Sequence, residues 1–224
     1  MTDMHDQTTL TIAGRTFVTD PSGALWCAAA RLLVVSDLHL EKGSAFARRG
    51  VPLPPYDTAE TLRTLATVVH RFQPRTIVSL GDSFHDQGGP ARMSHDDARS
   101  LAALQAGREW IWIAGNHDPR FDGEIAGRFL PELTEGAIRF VHEPTAGAVT
   151  GEIAGHLHPS AVIAVRGGRI RRKVFVSCET RLVMPAFGSF TGGLDIADPA
   201  IRSLFPGRPS VVALGSGRTY RIAA

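Results

Sequence analysis

Five short clusters in this chain have residue types and spacings that could do chemistry: Asp37-Leu38-His39, Gly81-Asp82, Gly115-Asn116-His117-Asp118, His142 and Gly155-His156-Leu157-His158. They offer carboxylates, one carboxamide and several imidazoles. Most follow a short apolar run, where a strand would end and a loop begin. Asp37 and His39 are two apart, so at a strand's end both can reach one ion. Asp82 follows a glycine, which lets backbone come close to a ligand, and its two oxygens could bridge two cations. Asn116 is a neutral oxygen donor, suited to a site already rich in anionic groups or substrate phosphate. His117 cannot easily bind the same ion from the same loop, which leaves it for substrate. His156 and His158 can approach neighbouring ions from one strand end. Mixed oxygen and nitrogen donors favour Mn, Fe or Zn over Ca. Two divalent ions held side by side in this way are suited to hydrolysing a phosphate ester.

Taken singly, each cluster has an ordinary reading. Asp37 could be a loop acid, Asn116 a turn residue and His156 with His158 a solvated pair. The argument rests on their joint occurrence at the ends of apolar runs. His5, His70 and His95 read as tail or helix-surface residues. His85, three residues after Asp82, is near enough to touch substrate or support the site, with a purely structural role as the alternative.

The elements that must position these groups alternate along the chain. Thr9–Val18 reads as strand turning at Gly14, and Leu32–Ser36 as a strand buried on both faces that stops at Asp37. Pro52, Pro54 and Pro55 mark a loop. Asp57, with Glu60 three residues later, offers a capped helix start, and Leu62, Leu65, Val69 and Phe72 continue it to Pro74. Thr76–Leu80 and Trp110–Ala114 are further buried strands, separated by a helix opened by Ser94 and running to Gly107. From Ile138 onward the pattern is mostly β: Ile138–Val141, Glu152–Ala154, Ala161–Val165, Val174–Ser177, Arg181–Met184, Val211–Leu214 and Thr219–Ile222, with Gly167-Gly168 as a hairpin turn. Two sheets packed face to face with helices outside would satisfy both halves.

The chain has 224 residues, 43% of them hydrophobic, which favours one domain with a sizeable core. Residues 1–8 read as a flexible tail and 9–224 as that domain. No apolar run approaches the roughly 20 residues of a membrane span, and the polar start resembles no targeting segment, so no membrane partner is expected. Cys27 and Cys178 read as ordinary buried thiols in a reducing cytoplasm. Net charge is +2, from 24 bases against 22 acids, so a wholly basic surface is excluded. Only Lys42 and Lys173 are lysines; the other bases are arginine, with forked donors suited to phosphate. Lys42, Arg48 and Arg49 follow the first cluster and could track a phosphate backbone. Arg166, Arg169, Arg171, Arg172 and Lys173 surround the hairpin turn, where a solvated, aggregation-resistant edge is the favoured reading. Phe187 and Phe190 could stack on bases or pack in the core.

Asp-x-His, Gly-Asp, Gly-Asn-His-Asp, a lone His and Gly-His-x-His, in this order from residue 37 to 158, resemble the calcineurin-like metallophosphoesterase superfamily. The resemblance implies an α/β (α+β) fold, a four-layer αββα sandwich of two mixed sheets flanked by helices. It implies one metal held by Asp37, His39, Asp82 and His158. A second would be held by Asp82, Asn116, His142 and His156, with Asp82 bridging. His117 would face the leaving group and Asp118 would orient it. A narrower similarity lies in Asp37-Leu38-His39-Leu40-Glu41-Lys42, Arg48-Arg49-Gly50-Val51-Pro52-Leu53-Pro54 and Leu182–Gly193. These stretches resemble the bacterial metallophosphoesterases associated with DNA ligase in DNA-damage-response gene clusters. That resemblance implies a manganese-dependent DNA endonuclease in DNA repair, using a hydroxide activated by two metals. It also implies single-stranded DNA as partner and a functional link to ligase and helicase. Lys42, Arg48, Arg49 and His85 are the candidate substrate contacts. In the wider superfamily Gly is common where this chain has Glu41. The alternatives are a small-molecule phosphoesterase acting on nucleotides or cyclic nucleotides, and a scaffold that has lost activity; the filled donor positions disfavour the scaffold.

Overall fold

Strands whose successive residues belong to different cores build this protein. The computed structural model describes residues 8–51, 53, 56–121 and 125–223. The expected tail, apart from Thr8, and Pro52, Pro54 and Pro55 lie outside the described residues. In β4 (Leu32–Val35), β5 (Thr76–Leu80) and β6 (Glu109–Ile113), Val34, Val78 and Ile111 face one core. Leu33, Val35, Ile77, Trp110 and Trp112 face another. This is the period of two of a strand covered on both faces.

The first sheet runs in chain order, β1 (Thr9–Ile12), β2 (Arg15–Thr19), β3 (Leu25–Cys27), β4, β5, β6 and β7 (Arg128–Leu130). It is antiparallel up to β4 and parallel from β4 to β7. Between its strands lie α1 (Lys42–Ala47), α2 (Asp57–Phe72), α3 (Gly89–Arg92) and α4 (His95–Gln105). The second sheet is built from β8 (Leu133–Glu135), β9 (Ile138–Val141), β10 (Glu152–Ala154), β12 (Gly168–Ser177), β13 (Arg181–Val183), β14 (Ser210–Leu214) and β15 (Thr219–Ile222). Its order is β15-β14-β12-β13-β10-β9-β8. Strand β11 (Ser160–Val165) pairs with the first part of β12, and Ser160 forms a single bridge with Asp195. Leu10, Phe17, Val34 and Val78 of the first sheet meet Phe140, Ile153, Phe175 and Val212 of the second in the inter-sheet core. Helices α2 and α4 cover the first sheet with Leu62, Leu65, Val69 and Leu101. The outer layer on the second sheet is thin: α5 (Pro199–Arg202) and the turn after it supply Ile201, Leu204 and Phe205. The four layers expected from the resemblance are present. Among the described residues no helix is long and apolar enough to cross a membrane.

Several expectations need correcting. Helix α2 begins with Tyr56 as its cap residue and no capping side chain; Asp57 instead accepts the backbone N–H of Gly43. Ser94 caps α4 as expected, accepting from Asp97 N–H. The two-residue hairpin turn is Arg166-Gly167, since Gly168 already pairs with Val165. Cys27 is buried, Cys178 only partly so, and both are free thiols. Phe187 belongs to the core, while Phe190 is exposed.

Candidate metal centre

The parallel strands β4, β5 and β6 end side by side, so the segments after them open on one edge of the first sheet. Asp37, Asp82 and Asn116 stand just past those ends. The second sheet brings His142 after β9, and His156 and His158 after β10, to the same edge. Backbone bonds lock the segments together: His39 N–H donates to Asp82 O at 2.9 Å and Gly155 N–H to His142 O at 2.9 Å. A Cβ on Gly115 would lie 2.1 Å from Asp82 N, so only a glycine lets these two chains approach so closely.

Asp37, His39, Asp82, His156 and His158 all have positive φ, between 44° and 68°. Left-handed backbone costs an L-residue roughly 1–2 kcal/mol, and such strain gathers at functional sites. It also explains how residues two apart meet. The chain past β4 is not extended, and repeated left-handed kinks bring Asp37 and His39 together. Glu41 shares the conformation, with φ 62°, one that glycine adopts at lower cost. Thr58 holds it here: its hydroxyl oxygen accepts the Glu41 N–H at 2.8 Å and its O–H donates to the carboxylate at 3.0 Å.

The donors form two groups, Asp37 with His39 and His158, and Asp82 with His142 and His156. Within each group the candidate donor atoms lie within 4.8 Å of one another. His158 Nε2 is 3.1 Å from Asp37 Oδ1 and 3.4 Å from His39 Nε2. His142 Nε2 is 2.8 Å from Asn116 Oδ1, 3.1 Å from His156 Nδ1 and 3.4 Å from Asp82 Oδ1. Asp82 Oδ2 turns the other way, 3.9 Å from His39 Nε2, so Asp82 stands between the groups with one oxygen toward each.

The chemistry of this donor set fits divalent cations. His142 Nδ1 lies 2.8 Å from the Leu80 carbonyl, which can only accept, so Nδ1 carries the proton and Nε2 turns its lone pair inward. That nitrogen meets the Asn116 oxygen, the His156 nitrogen and Asp82, an arrangement that needs either a proton or a cation among them. Burial disfavours charge on His142, yet Asp82 and Asp37 outweigh it and raise its pKa to about 9. Burial also favours neutral acids, but His142 holds Asp82 down at about 2, and His158 keeps Asp37 below the carboxylate range. Burial pushes His39 down to about 3 and lowers His156. Ionised carboxylates beside the neutral imidazoles of His39 and His156 suit Mn, Fe or Zn, and the proton that His142 otherwise holds is the positive charge an ion would replace.

His117 lies at the mouth of the site, its side chain 40% exposed and Nε2 3.9 Å from Asp82 Oδ2. The expected orienting partner, Asp118, is not what holds it. His117 Nδ1 donates to the His85 carbonyl at 3.0 Å. Asp118, fully buried, accepts instead from the backbone N–H of Phe84 at 2.9 Å and of Gly115 at 3.1 Å. Neighbouring side chains on one loop diverge, so Asp118 ties the Asp82 and Asn116 loops together from behind. Burial pushes its carboxyl up to about 7.

His85 is brought into the cluster, but beneath His117. The two rings stack at 5.0 Å, and burial lowers His85 to about 4. Lys42 begins α1 and donates to the Phe190 carbonyl at 2.6 Å. Arg48 and Arg49 are exposed, with Arg49 over the Phe46 ring. Lys173 escaped the sequence reading as a site residue. Its ammonium donates to Ala186 O and Gly188 O, each at 2.8 Å, and Gly188 N–H in turn donates to Asp37 O at 3.1 Å. The signal was present: both lysines of an otherwise arginine-only set of bases tie down this one loop.

The family model for calcineurin-like phosphoesterases matches residues 30–217. Among solved structures, the nuclease MPE of Pseudomonas putida superposes with a TM-score of 0.76 at 24% identity, covering 97% of this chain and 100% of that one. YfcE, a phosphoesterase from E. coli, gives a TM-score of 0.41 at 13% identity, covering 86% of this chain and 98% of that one. No curated protein matches the chain. With the match spanning most of its length and two donor groups meeting at one sheet edge, the chain belongs to the calcineurin-like phosphoesterases, a family of phosphoester hydrolases that use divalent metals.

Proposed function

We propose that this protein is a metal-dependent DNA phosphodiesterase that cuts within strands, acting in DNA repair in the cytoplasm alongside a ligase and a helicase. The observation that carries the reading is Asp82 set between two donor groups, one oxygen toward each. Asp37, His39, Asp82 and His158 would hold one ion, and Asp82, Asn116, His142 and His156 the other, with Mn2+ the best fit and Fe or Zn as alternatives. Such a pair, when bound, supplies Lewis-acid activation of phosphate and water.

The chain's own residues do the rest. His117 keeps Nδ1 on the His85 carbonyl, so its exposed Nε2 is the atom that can carry a proton to a departing oxygen. Asp118 fixes the two loops on which this depends. Arg48 and Arg49, in solvent beside the site, can meet backbone phosphate, whereas Lys42 is committed to Phe190.

A polymeric substrate is supported by the shape of this edge. The recess lined by His39, Lys42 and Phe190 has no room for even a water-sized sphere, unlike the roughly 300–1,000 Å³ of small-molecule pockets. Larger cavities of about 300 and 500 Å³ lie instead against Phe205–Pro209. The fold shared with a nuclease supports the same reading. The test is incubation of Mn2+-reconstituted protein with circular single-stranded DNA. A circle has no ends, so its conversion to linear product is the expected result. Turnover of small phosphodiesters with an intact circle would overturn the DNA assignment.

A further inference from the structure

The hairpin of β11 and β12 begins at the metal centre and leaves the sheet. Strand β11 starts two residues after His158. The last four residues of β12 pair within the second sheet, whereas Gly168–Lys173 pair only with β11. The result is a two-stranded arm rooted at a candidate metal ligand. From Ser160 to Ser177 the chain carries Arg166, Arg169, Arg171, Arg172 and Lys173 and no acid.

The register sorts these charges by face. Lys173, Arg171 and Arg169 share one side with Phe175, which packs in the inter-sheet core. This is therefore the side turned toward the sheet edge that bears Asp37. Lys173 is the root of the row, fixed on the Ala186 and Gly188 carbonyls. Arg171 and Arg169 follow outward, both exposed, at intervals of about 6.6–6.8 Å; Arg171 donates one N–H to Ser160 Oγ at 2.7 Å and keeps its other donors outward. Opposite the three cations stand Ser160, Val162 and Ala164, too small to cover them. The nearest acid, Asp195, is 3.8 Å from Arg171, and both partners are over a third exposed, so their attraction is weak. Arg172 lies on the other face, opposite Ala161.

A solvated edge would explain exposed charge, but not a single-file row that starts at the metal centre and faces it. We propose that this arm grips a sugar–phosphate strand, with Arg171 and Arg169 taking successive backbone phosphates of the segment leading to the donors. The inference rests on the DNA phosphodiesterase reading and adds the surface that holds the strand.

Fluorescence anisotropy of labelled oligo(dT) in EDTA tests it without turnover. The double substitution Arg169→Ala with Arg171→Ala is expected to weaken binding about tenfold and to flatten the slope of log K against log salt by about 1.4, at about 0.7 per lost phosphate contact. Arg172→Ala is expected to change neither. Equal affinity and slope for the native protein and the double variant, or an equal loss in Arg172→Ala, would overturn the proposal, as would a native protein that does not bind oligo(dT). Nicking of the DNA circle separates the two levels. If native protein and double variant bind alike and nick at equal rates, the arm loses its role and the DNA reading stands. If the native protein neither binds nor nicks, both fall.

Discussion

His117 and Asp118 are adjacent, yet the structure gives them different work. The imidazole stands at the mouth of the site with its outward nitrogen free to meet a leaving oxygen, because its inner nitrogen is spent on the His85 carbonyl. It belongs to neither donor group. His117→Ala is therefore expected to retain both metal ions. Turnover on DNA, whose leaving group is a poor one, should slow by about 10²–10⁴-fold. The loss on bis(p-nitrophenyl) phosphate, whose departing oxygen needs no proton, should be far smaller. Metal content by atomic emission and rates on the two substrates check this, and equal losses on both would remove the leaving-group role. The donors themselves were readable from sequence because each follows a strand that ends where its apolar run ends. The partner of His117 was not, because it is a backbone carbonyl from another loop, and no residue identity announces that.

The loop from Met184 to Gly193 has no regular structure, yet it holds the edge together. Phe187 N–H and Gly188 N–H donate to Ser36 O and Asp37 O, while Lys173 and Lys42 grip its carbonyls from either side. Lys173→Met should leave the Ala186 and Gly188 carbonyls without their donor, at a cost of about 1–3 kcal/mol. Urea denaturation of the metal-free protein is the measurement, and an unchanged midpoint would show that the tie is dispensable. The sheet strands β4, β5 and β6 were legible because their apolar runs face two cores. Elements lacking that signature were not. Strands β7 and β8 are short and largely exposed. Helix α1 has no capping side chain and starts at a left-handed Glu41. The outer half of β12, Gly168–Lys173, is mostly charged and exposed, so its strand character came from pairing with β11.

The metal centre draws on both sheets: Asp37, His39, Asp82 and Asn116 follow strands of the first, His142, His156 and His158 follow strands of the second. The inter-sheet core already joins the layers through Phe17, Val34, Phe140 and Phe175. Ions held between the sheets would add a second fastening at the edge, where buried Asp37 and Asp82 otherwise have only the His142 imidazolium between them. Binding that is confined to the folded state stabilises it by mass action, by about 2.7 kcal/mol at a free concentration one hundred times the dissociation constant. For a chain of this size that corresponds to a rise of about 5–10 °C in the melting temperature. The expected result is such a rise on adding Mn2+ to chelated protein. Asp82→Ala removes the one carboxylate that faces both donor groups, so this variant should show little or no rise. Asn116→Ala, which touches only the His142 group, should keep part of it. A native protein whose melting is indifferent to Mn2+, Fe2+ and Zn2+ would mean that the two sheets meet at this edge without an ion between them.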